Sequence, residues 1–148
     1  MKAYSDDGLY RPINATITKG QYEKLQGYLS LLLKNLKLFG DNLSYREYTK
    51  PVYRGFNPLS EFYNKDAYSR NSIGCWTTFQ SCTKSKNVAL GFSIQPQKKM
   101  FDIAKEVLIF EIYLSRENSP PTQIDLNSPQ LSWYTSEEEV LCLPFFTF

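Results

Sequence analysis

A chain of 148 residues has the length of one domain, enough to bury about two thirds of its unfolded surface. Its 42% hydrophobic and 22% charged content excludes disorder, and a formal charge of +2, spread along the chain, provides no basic block for nucleic acid. No run reaches the ~20 apolar residues that cross a bilayer, and the N-terminus lacks a signal-peptide pattern.

Histidine is absent, which removes serine–histidine and cysteine–histidine nucleophile pairs and most zinc and non-haem iron sites. The cysteines Cys75, Cys82 and Cys142 are odd in number and lack metal spacing. They read as reduced, packed thiols in a cytoplasmic protein. The sequons Asn14-Ala15-Thr16 and Asn42-Leu43-Ser44 leave a secreted parent open if the chain is an excised domain. An aromatic content of 16% predicts a core built largely from rings.

Residues 18 to 39 carry the clearest helical pattern. Thr18 and Gln21 have capping-box spacing, and Ile17 and Tyr22 have the spacing of a hydrophobic staple. Tyr22, Leu25, Leu29, Leu32, Leu33, Leu36 and Phe39 recur at helical intervals before Gly40. A shorter helix is expected with Asn57 as cap and Pro58 as first residue, burying Leu59 and Phe62. A third is expected over about 84–92, with Val88, Ala89 and Phe92 inward. Strands are expected at 51–56, 75–81, 107–114 and 139–148. Residues 116–136 read as a long loop, broken by a brief strand near 123–126; a loop of that length is more often functional than decorative. Helices first and strands after, without βαβ alternation, give an α+β domain: a helical part at about 1–49 and a β-rich core at about 50–148.

Three polar groupings stand on these elements. In Val52-Tyr53-Arg54-Gly55 an arginine sits in an apolar strand, where it needs an anion or a carboxylate. Its fork suits phosphate oxygens, and an internal ion pair would satisfy it too. Gly55 leaves room for a ligand to approach the backbone. Phe79-Gln80-Ser81-Cys82-Thr83-Lys84 ends a strand in small polar residues ahead of Val88-Ala89-Leu90-Gly91-Phe92. Such hydroxyls either cap the helix or bond a carboxylate or ligand amide. Last comes Ser136-Glu137-Glu138-Glu139-Val140-Leu141-Cys142, preceded by Tyr134. In an extended chain Glu137 and Glu139 share one face and Glu138 takes the other. Acidic triplets are commonly solvated turns. A carboxylate pair at the mouth of a buried strand, however, costs desolvation and repulsion, and it suits chemistry on a cation. Retaining glycosidases also pair carboxylates, but no sugar-binding signature accompanies these beyond aromatic richness.

In this order and spacing, Arg54-Gly55, then Phe79-x-Ser81-Cys82-Thr83 with Val88-Ala89-Leu90-x-Phe92, then Glu137-x-Glu139-Val140-Leu141 resemble the R-S-E group of mono-ADP-ribosyltransferases. That group includes arginine-modifying ecto-enzymes and many bacterial toxins. The resemblance covers roughly residues 50 to 148 and departs at Ser81-Cys82-Thr83, where the group usually has Ser-Thr-Ser. It implies N-terminal helices packed on two β-sheets, with NAD in the cleft between them. The implied reaction transfers ADP-ribose from NAD, a co-substrate, to arginine side chains of an acceptor protein, without a metal. On this resemblance Arg54 holds the NAD phosphates, the backbone of Gly55 meets the nicotinamide amide, and Tyr53 or Phe92 stacks on the ring. Ser81 orients Glu139, whose carboxylate bonds the nicotinamide-ribose 2′-hydroxyl. Glu137 holds the acceptor guanidinium and assists loss of its proton, and Tyr134 shapes the acceptor's entry. Water in place of arginine would make the same site a NAD glycohydrolase. Without turnover it would be a retired NAD-binding or interaction module. The expected partner is a protein with an exposed arginine, with no nucleic acid or membrane, and the chain is expected to be a monomer.

Overall fold

The helix expected over 18–39 begins only at residue 26, after a separate helix and a 3-10 turn. The structure, a computed structural model, describes residues 8–32, 34, 50–56, 68–94, 107–113, 123–127, 129–144 and 146–147. Helix α1 spans Tyr10–Thr18 and buries Ile13 and Ile17. A 3-10 turn follows at Tyr22–Leu25, and α2 begins at residue 26 and includes the described residues 26–32 and 34. Thr18 therefore ends a helix instead of capping one, and its hydroxyl donates to the Asn14 carbonyl at 2.9 Å. Gly20 makes the break at φ +67°, a left-handed conformation that glycine takes without a Cβ clash. Tyr22 lies on the 3-10 turn and is 45% exposed, whereas Leu32 is buried and Leu25 and Leu29 pack beside it. Leu33, Leu36, Phe39 and Gly40 lie outside the described residues, as does the helix expected from Asn57.

Five antiparallel strands form the main sheet in the order β4-β1-β3-β6-β5. They are β1 (Val52–Phe56), β3 (Gln80–Thr83), β4 (Leu108–Ile112), β5 (Gln123–Asp125) and β6 (Glu139–Cys142). A smaller sheet pairs β2 (Cys75–Trp76) with β7 (Phe146–Thr147). Two segments expected as single strands thus divide between the sheets. The first bends at Thr78, whose hydroxyl accepts from the Gln80 amide at 2.8 Å. The second breaks at Pro144, which has no N–H to continue a ladder.

Alternation along β6 sorts its side chains between two apolar clusters. Leu141 joins Ile13, Ile17, Leu32, Phe79, Ile124 and Leu126 beneath α1 and α2. Val140 and Cys142 point the other way, to Val52, Cys82 and Ile112. β6 is buried along its whole length, which accounts for its near-continuous apolar run.

Helix α3 (Lys86–Ile94) lies against β1, with Ala89 and Ser93 buried. Phe92, expected inward, is 43% exposed, and Ser93 takes the buried position, donating to Ala89 and Leu108 carbonyls at 3.1 and 3.2 Å. The approach is so close that a Cβ on Gly55 would lie 1.9 Å from the Ala89 carbonyl oxygen. The space left by the absent side chain is taken by α3, not kept open for a ligand. The architecture is α+β. Among the described residues no helix is long and apolar enough to cross a membrane.

Candidate active site

β3 and β6 pair at four positions, but β1 and β3 pair at only one, Tyr53–Thr83, and then part. Arg54 occupies the gap. Its Nη1 donates to the Ser81 carbonyl at 2.6 Å, and the guanidinium sits 5.7 Å from the centroid of the Trp76 ring. The side chain thus satisfies a carbonyl that a continuing ladder would have bonded. Among the described residues no carboxylate forms an ion pair with Arg54.

The parting strands border a cavity of about 420 Å³. All eight residues singled out from the sequence line it: Tyr53, Arg54 and Gly55 on β1, Ser81 on β3, Phe92 on α3, and Tyr134, Glu137 and Glu139 on the approach to β6 and its first residue. Gly55 contributes only backbone.

Glu139 opens β6 opposite Thr83 and is 6% exposed. Burial pushes its carboxyl above the ordinary carboxylate range, and a hydrogen bond from Ser81 offsets part of that rise. Ser81 and Thr83 project from the same side of β3, so Ser81 lies diagonally across from Glu139.

Glu137 reaches the same cavity, but not by strand alternation. Thr135–Glu137 form a 3-10 turn, and Glu138 is left-handed, with φ 48° and ψ 47°, and exposed. Extended chain begins only at Glu139. The end of β3 clamps the turn in place. The Thr83 hydroxyl donates to the Glu137 carbonyl at 2.6 Å and accepts the Ser85 N–H at 3.0 Å, while the Lys84 N–H donates to the Glu138 carbonyl at 3.2 Å. Lys84 also pairs with Asp125 of β5 at 2.5 Å. Thr83→Val keeps the shape and removes the hydroxyl, leaving the part-buried Glu137 carbonyl without this donor. It is expected to destabilise the protein by about 1–3 kcal/mol, read as a lower urea midpoint at unchanged slope.

Helix α1 adds Tyr10, Arg11 and Asn14 to the cavity wall, none of them anticipated as site residues. Asn14 donates to the Phe79 carbonyl at 3.1 Å and so ties α1 to the chain entering β3. Arg11 donates from Nε to the Tyr10 hydroxyl at 3.0 Å. Tyr10, Ile13 and Ile17 do recur at helical spacing. Two features masked that signal: α1 has no side-chain cap, and Pro12 sits in its first turn. Proline is tolerated there because no intrahelical N–H is required.

Among the described residues no group of three or more His, Cys, Asp and Glu side chains could hold a metal ion. The cavity sets a guanidinium at the strand gap, two carboxylates at the approach to β6, and aromatic rings from Tyr53, Phe92 and Tyr134 around them. An anion can be held at the first, and positive charge developing beside Glu139 can be stabilised by a carboxylate shielded from water. No protein-family model matches the chain, nor does any curated protein or solved structure.

Proposed function

We propose that this chain is a NAD-dependent mono-ADP-ribosyltransferase that moves ADP-ribose from NAD to arginine side chains of an acceptor protein and releases nicotinamide. One observation carries the reading: Arg54, Ser81 and Glu139, far apart in sequence, border one cavity together with a second carboxylate, Glu137. The α+β architecture is compatible with the one that the resemblance implies, although the cavity lies at the five-stranded sheet and no described residue of β2 or β7 lines it.

NAD carries a pyrophosphate and a cationic nicotinamide ring. Arg54, with Arg11 of α1 also lining the cavity, suits the phosphates, and Tyr53 or Phe92 offers a face to the ring. Glu139, oriented by Ser81, accepts a hydrogen bond from the ribose 2′-hydroxyl. Breaking the glycosidic bond sends its electron pair to nicotinamide, which leaves neutral, and C1′ becomes oxocarbenium-like. A fixed negative charge at low local dielectric stabilises that centre. The acceptor arginine is protonated at ordinary pH and cannot attack as it stands. Glu137 orients it and takes the proton as the guanidinium nitrogen bonds C1′.

Labelled NAD with agmatine as acceptor tests the reading. Wild-type protein is expected to label agmatine. Glu137→Ala is expected to lower that transfer by about 100-fold or more, while nicotinamide release to water stays within a few-fold of wild type. Free ADP-ribose exceeding labelled agmatine at every acceptor concentration would make the protein a NAD glycohydrolase. NAD binding by calorimetry with no nicotinamide released over hours would make it a binding module.

A further inference from the structure

Cys82 on β3 and Cys142 on β6 lie two residues out of register on adjacent strands: Cys82 stands opposite Val140, and Cys142 opposite Gln80. Both point to the same face of the sheet, into the cluster of Val52 and Ile112, and both are buried. Their sulfurs are 3.7 Å apart and unbonded. Buried thiols ordinarily behave as inert small hydrophobes. Two features set this pair apart. Cys82 is among the residues that line the 420 Å³ cavity, although its side chain is buried in the core cluster behind it. The second thiol is already within contact distance of the first, on a strand held to it at four positions. The electrostatics favour a division of roles. The contact with Cys142 and the Arg54 guanidinium nearby draw Cys82 below the ordinary thiol range against the opposing effect of burial, while the same contact and burial raise Cys142 well above it. Cys75, on the smaller sheet, is exposed and takes no part.

We infer that Cys82 and Cys142 form a redox-active dithiol that closes to a disulfide between β3 and β6 when a peroxide enters the cavity. The Cys82 thiolate attacks one peroxide oxygen and the O–O bond breaks, leaving a sulfenic acid on Cys82 and releasing hydroxide. The Cys142 sulfur then attacks that of Cys82 and the sulfenic oxygen departs as water, carrying the Cys142 proton. Overall two thiols lose two electrons and two protons, and hydrogen peroxide becomes two waters. The bond would form directly behind the strand pair that carries Ser81 and Glu139. The chemistry needs no nucleotide and is independent of the proposed transfer reaction.

Cys75→Ser protein treated with hydrogen peroxide, then alkylated with iodoacetamide in denaturant and digested, tests this by mass spectrometry. The expected product is a linked pair of peptides containing Cys82 and Cys142, which dithiothreitol separates. With Cys142→Ala added, or Cys142→Ser if the alanine variant does not fold, dimedone is expected to trap a sulfenic acid on Cys82. The same reagent is expected to leave Cys82 unlabelled when Cys142 is present. Two thiols still open to alkylation after peroxide, or Cys82 driven to a sulfinic acid while Cys142 stays free, would overturn the assignment.

Discussion

Glu139→Gln is expected to lower nicotinamide release from NAD by about 100- to 1,000-fold and, at neutral pH, to raise the melting temperature. On the proposed reaction, the first effect follows from removing the negative charge beside the bond that would break. The second follows from where that charge is kept. Burial raises the carboxyl's pKa in the folded protein, so the fold prefers the neutral form. The stability contributed by this preference is fully present below the ordinary value of about 4.3 and is lost as pH rises through the raised folded value. At neutral pH the native protein therefore carries an ionised Glu139 at a cost, and glutamine removes the charge while keeping the shape and an acceptor for Ser81. Scanning calorimetry at neutral pH and near pH 4 should find the variant more stable at the first and the difference shrinking toward the second. A glutamine variant that melts lower at neutral pH would refute the burial account. Wild-type turnover is likewise expected to decline on acidification at a higher pH than an ordinary carboxylate would impose.

Gly55→Ala is expected to be the most damaging single substitution in the β-rich core. The added methyl would lie 1.9 Å from the Ala89 carbonyl oxygen and 2.5 Å from Ser93 Oγ, and the first of these belongs to helix backbone. Helix α3 would have to lift from β1, breaking the Ser93 bond to the Leu108 carbonyl. A loss on the order of 3 kcal/mol or more is expected, read by urea denaturation with circular dichroism. Gly91→Ala is the matched control. Gly91 lies within α3 with nothing within 4 Å of an added Cβ, so alanine there is expected to be neutral or to stabilise by about 0.5–1 kcal/mol. Equal effects at the two glycines would show that backbone entropy, not the approach of α3, explains the residue at 55.

The strands β1, β4, β5 and β6 could be placed from local composition, because a half-buried or buried strand must carry β-branched and aromatic residues, whereas β3 runs two residues beyond the expected segment. Arg54, Ser81 and Glu139 were legible for a related reason: each is a polar residue on a strand whose apolar neighbours belong to the core. Three features were not legible. Division of 75–81 and 139–148 between sheets depends on which distant strand each half meets, and no local residue encodes that. The geometry of Glu137 and Glu139 turns on Glu138, a non-glycine residue in the left-handed region, which propensity argues against. Helix α1 lacks a capping side chain, so its wall residues Tyr10, Arg11 and Asn14 had no start signal to announce them.

Among the described residues Arg54 spends one N–H on the Ser81 carbonyl, and a guanidinium has five. An anion entering the cavity can therefore be gripped without the side chain releasing the framework. The rotamer freedom of an unrestrained arginine, about 2 kcal/mol, is already lost on folding, so the arriving guest finds its clasp set in advance.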